Sequence, residues 1–152
     1  MKDLKSLLKT NWPVKLIFAS GFIGFIDAAY LSATRYLGGI PDCKIVSGCE
    51  DVLASSYATF LHLPVSTWGI IYYALILTLA ALIQGNRPAK FIKLLIFCAV
   101  TGVVATLYFI YLQAFILNAW CIYCLASGVT SVLILLGSLK LKPLILKGGV
   151  LK

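Results

Sequence analysis

An all-α transmembrane bundle of four helices, with a short surface helix in its outward loop, is the fold that this chain predicts. Three observations predict it. The sequence is 61% hydrophobic and only 12% charged over 152 residues, a balance too apolar for a water-soluble domain of this size. Four apolar stretches, Leu16–Thr34, Leu63–Ile83, Leu94–Leu117 and Ala119–Leu139, each approach the about 20 residues that cross a hydrocarbon core. The cations fall between these stretches so that alternate connections are basic. The sequence predicts a single integral membrane domain over 1–152, without repeats, low-complexity tracts or linkers.

The first stretch follows Lys2, Lys5, Lys9 and Lys15 and carries Asp27 in its interior. It is span-length and lacks a small-residue cleavage site, so it is expected to remain as an anchor. Residues 37–62 form the one sizeable loop, the catalytic loop of the expected architecture. Its beginning, Gly38-Gly39-Ile40-Pro41-Asp42, is flexible in composition and leads to Cys43. Ser47 and Glu50 have the spacing of a capping box, which predicts a helix over Cys49–Leu61. Val52, Leu53, Tyr57, Phe60 and Leu61 recur on one face of that helix, as for a lid over the bundle mouth. His62 is a lone interfacial histidine.

The second stretch is joined to the third through Arg87, Lys90 and Lys93, and Lys140, Lys142, Lys147 and Lys152 follow the fourth. With four crossings, eleven of the thirteen cations share one side, and Lys and Arg are retained on the cytoplasmic side. Both termini are therefore expected in the cytoplasm, and the 37–62 loop and the 117–120 turn outside, in a cell membrane. The net charge of +8 is a topology signal, and no basic folded face remains for nucleic acid. Cys98 in the third stretch reads as packing. Asn118 is the predicted N-cap of the fourth, with Cys121 in its first turn and Cys124 one turn deeper on the same face.

Two cysteine pairs carry the chemistry. Cys43 and Cys49 lie in the outer loop, and Cys121-Ile122-Tyr123-Cys124 heads the last stretch, so both pairs reach the same membrane surface. Helix starts favour thiolate over thiol through unpaired N–H groups and the dipole. A mobile cysteine beside a fixed one suits a relay of electrons between two dithiols. The competing reading is a zinc site of four thiolates. Such sites are built from short-spaced pairs, whereas five residues separate Cys43 from Cys49, and an oxidising outer compartment favours disulfides. No metal is expected.

Taken together, the Cys43-x5-Cys49 loop, Ser55 six residues on, Pro64-Val-Ser-Thr-Trp-Gly69 at the start of the second stretch, and Trp120-Cys-Ile-Tyr-Cys124-Leu resemble the vitamin K epoxide reductase family. The resemblance is to its bacterial and archaeal stand-alone type and covers about Leu16 to Leu139. It implies that Cys121 and Cys124 are the active pair, with Cys124 next to a quinone ring, such as menaquinone or ubiquinone. It implies that Cys49 forms a transient disulfide with Cys121, that Cys43 exchanges with an external dithiol, and that Ser55 supports the quinone side. The partner so implied is a separate thioredoxin-like, DsbA-like protein, and the acceptor is the quinone pool of the membrane. The short loop spacing, and Gly128 where vertebrate members carry a tyrosine, favour a disulfide-forming homologue over an epoxide reductase.

Further candidates for the quinone site are Asp27, Ser66, Tyr111 and Phe115, with Trp68 and Trp120. An intramembrane carboxylate is a functional hypothesis by default, and Asp27 either moves protons or hydrogen-bonds within the bundle. Aromatic residues also collect at any bilayer interface. Two other functions fit parts of the pattern. A thiol-driven vitamin K quinone or epoxide reductase would use the same cysteines, and a small four-span transporter would use Asp27 but would survive loss of the cysteines.

Overall fold

The computed structural model describes residues 12–39, 48–84 and 90–148, with side chains as far as Lys142. Within these residues the chain is helical nearly throughout. Helix α1 (Trp12–Tyr36) is followed by the short α2 (Cys49–Ala54), a 3-10 turn at Ser56–Ala58 and a minimal hairpin of β1 (Thr59–Phe60) and β2 (Leu63–Pro64). Then come α3 (Val65–Gln84), α4 (Lys90–Tyr111) with a π-helical extension at Leu112–Leu117, and α5 (Ile122–Gly148). Four of these segments, Trp12–Tyr36, Val65–Gln84, Lys90–Leu117 and Ile122–Lys142, are long and apolar enough to cross a membrane. The multi-pass architecture expected from the sequence is thus present.

In lipid, backbone groups must be satisfied within the segment, which is why each apolar stretch folds as a continuous helix. Helix α1 packs on both α3 and α5, and α4 packs on α5 and α3. Their shared core comprises Ile17, Ala28, Tyr73, Ile76, Leu79, Leu95, Ala99 and Ile134. Phe22, Ile23, Phe97, Val104 and Leu107 point outward and are exposed, as expected of side chains whose solvent is hydrocarbon. Close approach of α1 to α3 depends on Gly24, because a β-carbon there would enter the Tyr73 ring. The bundle polarises its charges: Lys15, Lys90, Lys93, Lys140 and Lys142 lie toward one end, Arg35, Glu50 and Asp51 toward the other.

The segment between α1 and α3 departs from its expected form. Helix α2 ends at Ala54, not Leu61, because Ser55 adopts extended backbone (φ −64°, ψ 154°). Ser55 Oγ donates to the Val52 carbonyl at 2.7 Å, closing the helix as Ser does when it competes with backbone bonding. Beyond it, β1 and β2 pair antiparallel, Thr59 opposite Pro64 and Phe60 opposite Leu63. Their two-residue turn, Leu61 and His62, has both residues at positive φ (50° and 64°), the geometry that matches strand twist. The capping box also does not form as expected: Gly48, at φ 123°, is the N-cap of α2, and Ser47 lies outside the described residues. A third correction concerns the fourth span, which starts at Ile122. Asn118 instead closes the preceding π-helix in the left-handed region (φ 48°, ψ 34°).

Candidate functional site

The site lies at one end of the bundle, where α2 meets the connector between α4 and α5. Cys49, Val52, Ala119 and Cys121 form one buried cluster, against which Leu117, Ile122, Tyr123 and Cys124 pack. Cys49 and Cys121 are both 0% exposed. What draws α2 onto the connector is Gly48: a β-carbon there would stand 3.0 Å from Ala119 Cβ and 3.2 Å from Trp120 N. The far end of α2 is tied to α1 by Arg35, whose guanidinium donates to the Leu53 carbonyl at 2.9 Å. The hairpin is fastened to α3 by Trp68, which donates from Nε1 to the Phe60 carbonyl at 3.1 Å and meets the Phe60 ring edge-on. Cys49 is disulfide-bonded, while Cys98, Cys121 and Cys124 are free thiols. Cys43 lies outside the described residues.

Because α5 begins at Ile122, Cys121 occupies the N-cap position and its carbonyl accepts from Leu125 N at 3.1 Å. An N-cap side chain normally accepts from the second and third N–H groups of the helix. Cys121 does this with sulfur: it takes hydrogen bonds from the Cys124 thiol and from the Cys124 and Tyr123 amides. The Cys124 thiol foremost, helped by the two amides, holds the Cys121 thiol down to about 7, against the opposing effects of burial and of Asp27. The lowered value favours the thiolate, the nucleophilic form, and makes the sulfur a better leaving group when it sits in a disulfide. Ultraviolet thiolate absorbance of the reduced protein should therefore show a first titration midpoint near pH 7, absent from Cys121→Ser. A first midpoint unaffected by that substitution would overturn the capping assignment.

Beneath the pair, a cavity of about 890 Å³ runs from the α2–hairpin segment into the bundle. Its wall includes Cys124, Asp27, Ser55, Ser66, Trp68 and Gln113. Cys124 and Asp27 also interact electrostatically. Tyr111 and Phe115, in contrast, are not brought to the cavity. Their rings stack on each other at 5.3 Å and are 54% and 73% exposed, because the helix turns that face away from the bundle. Two supporting residues escaped the sequence analysis. Tyr73, 1% exposed, bonds to Ser127 Oγ at 2.8 Å and Thr130 Oγ1 at 2.7 Å, bracing α5 one turn below Cys124. Gln113, also 1% exposed, accepts from Cys121 N at 2.8 Å through Oε1. A polar amide in an otherwise apolar span was the available signal for Gln113, since buried amides require partners.

The cavity has the size and lining of a small-molecule site. Its volume is within the range of small-molecule sites, its wall is mainly apolar with a few convergent polar groups, and a thiol stands in that wall. No group of three or more His, Cys, Asp or Glu placed to hold a metal occurs among the described residues.

A multi-helix membrane bundle with a paired-cysteine site under a surface loop defines the class. Within it, residues 15–139 match the model of the vitamin K epoxide reductase family, and the chain belongs to that family. It is also 34% identical over 114 residues to the thiol-disulfide oxidoreductase LTO1 of Arabidopsis thaliana, covering 70% of this chain. The match covers 30% of that relative's length.

Proposed function

We propose that this protein is a membrane thiol-disulfide oxidoreductase that passes electrons from a thioredoxin-like dithiol through Cys43 and Cys49 to Cys121 and Cys124, and on to a quinone. The packing of Cys49 against Cys121 in one buried cluster, with Cys124 at the wall of an apolar cavity, is the observation that carries the reading. The relative's name supports the thiol-disulfide part of it.

The exchange proceeds as follows. A partner dithiol reduces the Cys43–Cys49 disulfide and is itself oxidised. The Cys49 thiolate attacks Cys121 of the Cys121–Cys124 disulfide; a Cys49–Cys121 bond forms and Cys124 leaves as thiolate. Cys43 then attacks Cys49, re-forming their disulfide and releasing Cys121, whose N-cap position stabilises the departing anion. Each cycle moves two electrons, and the two protons come from the partner's thiols. Re-formation of the Cys121–Cys124 disulfide releases two electrons and two protons, and a quinone bound in the cavity would supply the sink for them as quinol. Asp27 stands in the same wall as Cys124 and holds or passes a proton there, while Ser55 and Ser66 offer hydroxyls. The outer loop and the surrounding bundle keep bulk water from the inner sulfur.

Anaerobic mixing of purified protein, a reduced thioredoxin-like protein and a quinone should yield quinol in proportion to thiol consumed. Thiol loss without quinol would refute the acceptor assignment. In this reading the whole chain is one membrane domain with both termini cytoplasmic. A membrane-impermeant maleimide added outside intact, reduced cells should therefore label Cys43. Labelling seen only after the inner face is opened would reverse the orientation. Cys43→Ala should leave Cys49 and Cys121 able to pair yet stop turnover with the protein partner, as followed by oxidation of that partner. Unchanged oxidation would remove Cys43 from the relay.

A further inference from the structure

Gln113 accepts three hydrogen bonds from the connector that presents Cys121. Gln113 sits in the π-helical turn at Leu112–Leu117. Its backbone carbonyl accepts from Asn118 N and from Ala119 N at 3.1 Å, and its side-chain Oε1 accepts from Cys121 N at 2.8 Å. Three amides of the four-residue segment 118–121 thus converge on one buried side chain and its carbonyl. A π turn inserts an extra residue into a helix and is often found where a site must be shaped. Here it carries Gln113 beneath Cys121.

We infer that Gln113 is a positioning residue: by fixing the Cys121 backbone at the N-cap of α5, it holds the Cys121 sulfur between the helix amides and Cys49. The chemistry follows from the geometry. Cys121 Sγ can accept from the Tyr123 and Cys124 amides only while the residue keeps N-cap backbone geometry. The Cys121 amide itself points away from α5, and Gln113 is its acceptor. Remove that acceptor and the buried N–H must find another, which rotates the residue and withdraws the sulfur from both amides. Any rotation also spoils alignment with Cys49, on which disulfide exchange depends. Gln113 touches no reacting sulfur; it acts through the Cys121 backbone. The quinol arm of the test rests on the function proposed above, whereas the thiolate titration does not.

Three variants separate the possibilities. Gln113→Leu removes the acceptor, Gln113→Met removes it with an unbranched side chain should the leucine variant fail to fold, and Gln113→Glu keeps an oxygen in place. In the first two, the lowest thiolate midpoint should rise by about one pH unit, a tenfold change in ionisation constant. The kcat for quinol formation should fall about tenfold. Gln113→Glu should recover kcat to within about threefold, since a carboxyl oxygen replaces Oε1. A thiolate midpoint unchanged in both acceptor-free variants, or a preserved kcat, overturns the inference. If wild type makes no quinol but the thiolate midpoint moves as stated, the quinone reading falls and the positioning role stands.

Discussion

Cys124→Ser abolishes quinol formation and accumulates a Cys49–Cys121 disulfide. Cys121 is the outer sulfur, packed in the same cluster as Cys49, and Cys124 lies one turn deeper at the cavity wall. In this variant Cys121 has no disulfide partner, so its thiolate attacks Cys49 of the Cys43–Cys49 disulfide and releases Cys43; serine cannot then attack Cys121 to resolve the mixed bond as Cys124 would. The loss should be complete within detection, because removal of a member of a covalent relay leaves no alternative route for electrons. Non-reducing proteolysis and mass spectrometry would identify the trapped bond. Quinone reduction at the wild-type rate in this variant would show that the Cys121–Cys124 pair is structural.

Gly24→Ala is the substitution expected to cost most stability for least change in mass. The new methyl would enter the Tyr73 ring, which is buried and held by hydrogen bonds to Ser127 and Thr130. Overpacking costs about 1–3 kcal/mol, and pulling the hydroxyl from its partners adds about 1–3 kcal/mol. A total of about 2–6 kcal/mol is therefore expected. Thermal unfolding in detergent measures it. Tyr73→Phe, which keeps the ring and drops the hydroxyl, should lose about 1–3 kcal/mol. If Gly24→Ala unfolds with wild type, the α1–α3 contact is looser than the structure describes.

The membrane bundle was legible in the sequence because apolar length and charge placement are one-dimensional signals. The helices at Leu16–Thr34 and Leu94–Leu117 were read nearly as they stand. The outer loop was legible in part. Cys49 does begin a helix, but its stop at Ser55 follows from a side chain bonding back to Val52, a local competition that spacing alone does not rank. The Leu61–His62 turn was hidden for a related reason: leucine disfavours positive φ, and the pairing of Phe60 with Leu63 together with Trp68 imposes it. Asn118 was read as a helix start because Asn caps helices. It caps one here too, but at the other terminus, where the left-handed region also favours Asn. Tyr111 and Phe115 were chosen by type and depth, and only the rotation of α4 and its π-helical extension decides which way they face. Tyr73 and Gln113 had no motif to announce them, since each acts through a partner far along the chain or through a backbone amide.

The sulfur cap on α5 ties backbone order to oxidation state. A helix whose first turn is held by an anion loses that hold once the anion becomes part of a neutral disulfide, since bonded sulfur is a feeble acceptor. Oxidation of Cys121 should thus fray the start of α5, and reduction should restore it. The amides of Tyr123 and Cys124 become a gauge of electron occupancy: protected from deuterium exchange when the pair is charged with electrons, exposed to it when the pair is empty. Such a reading needs no dye, no quinone and no substitution.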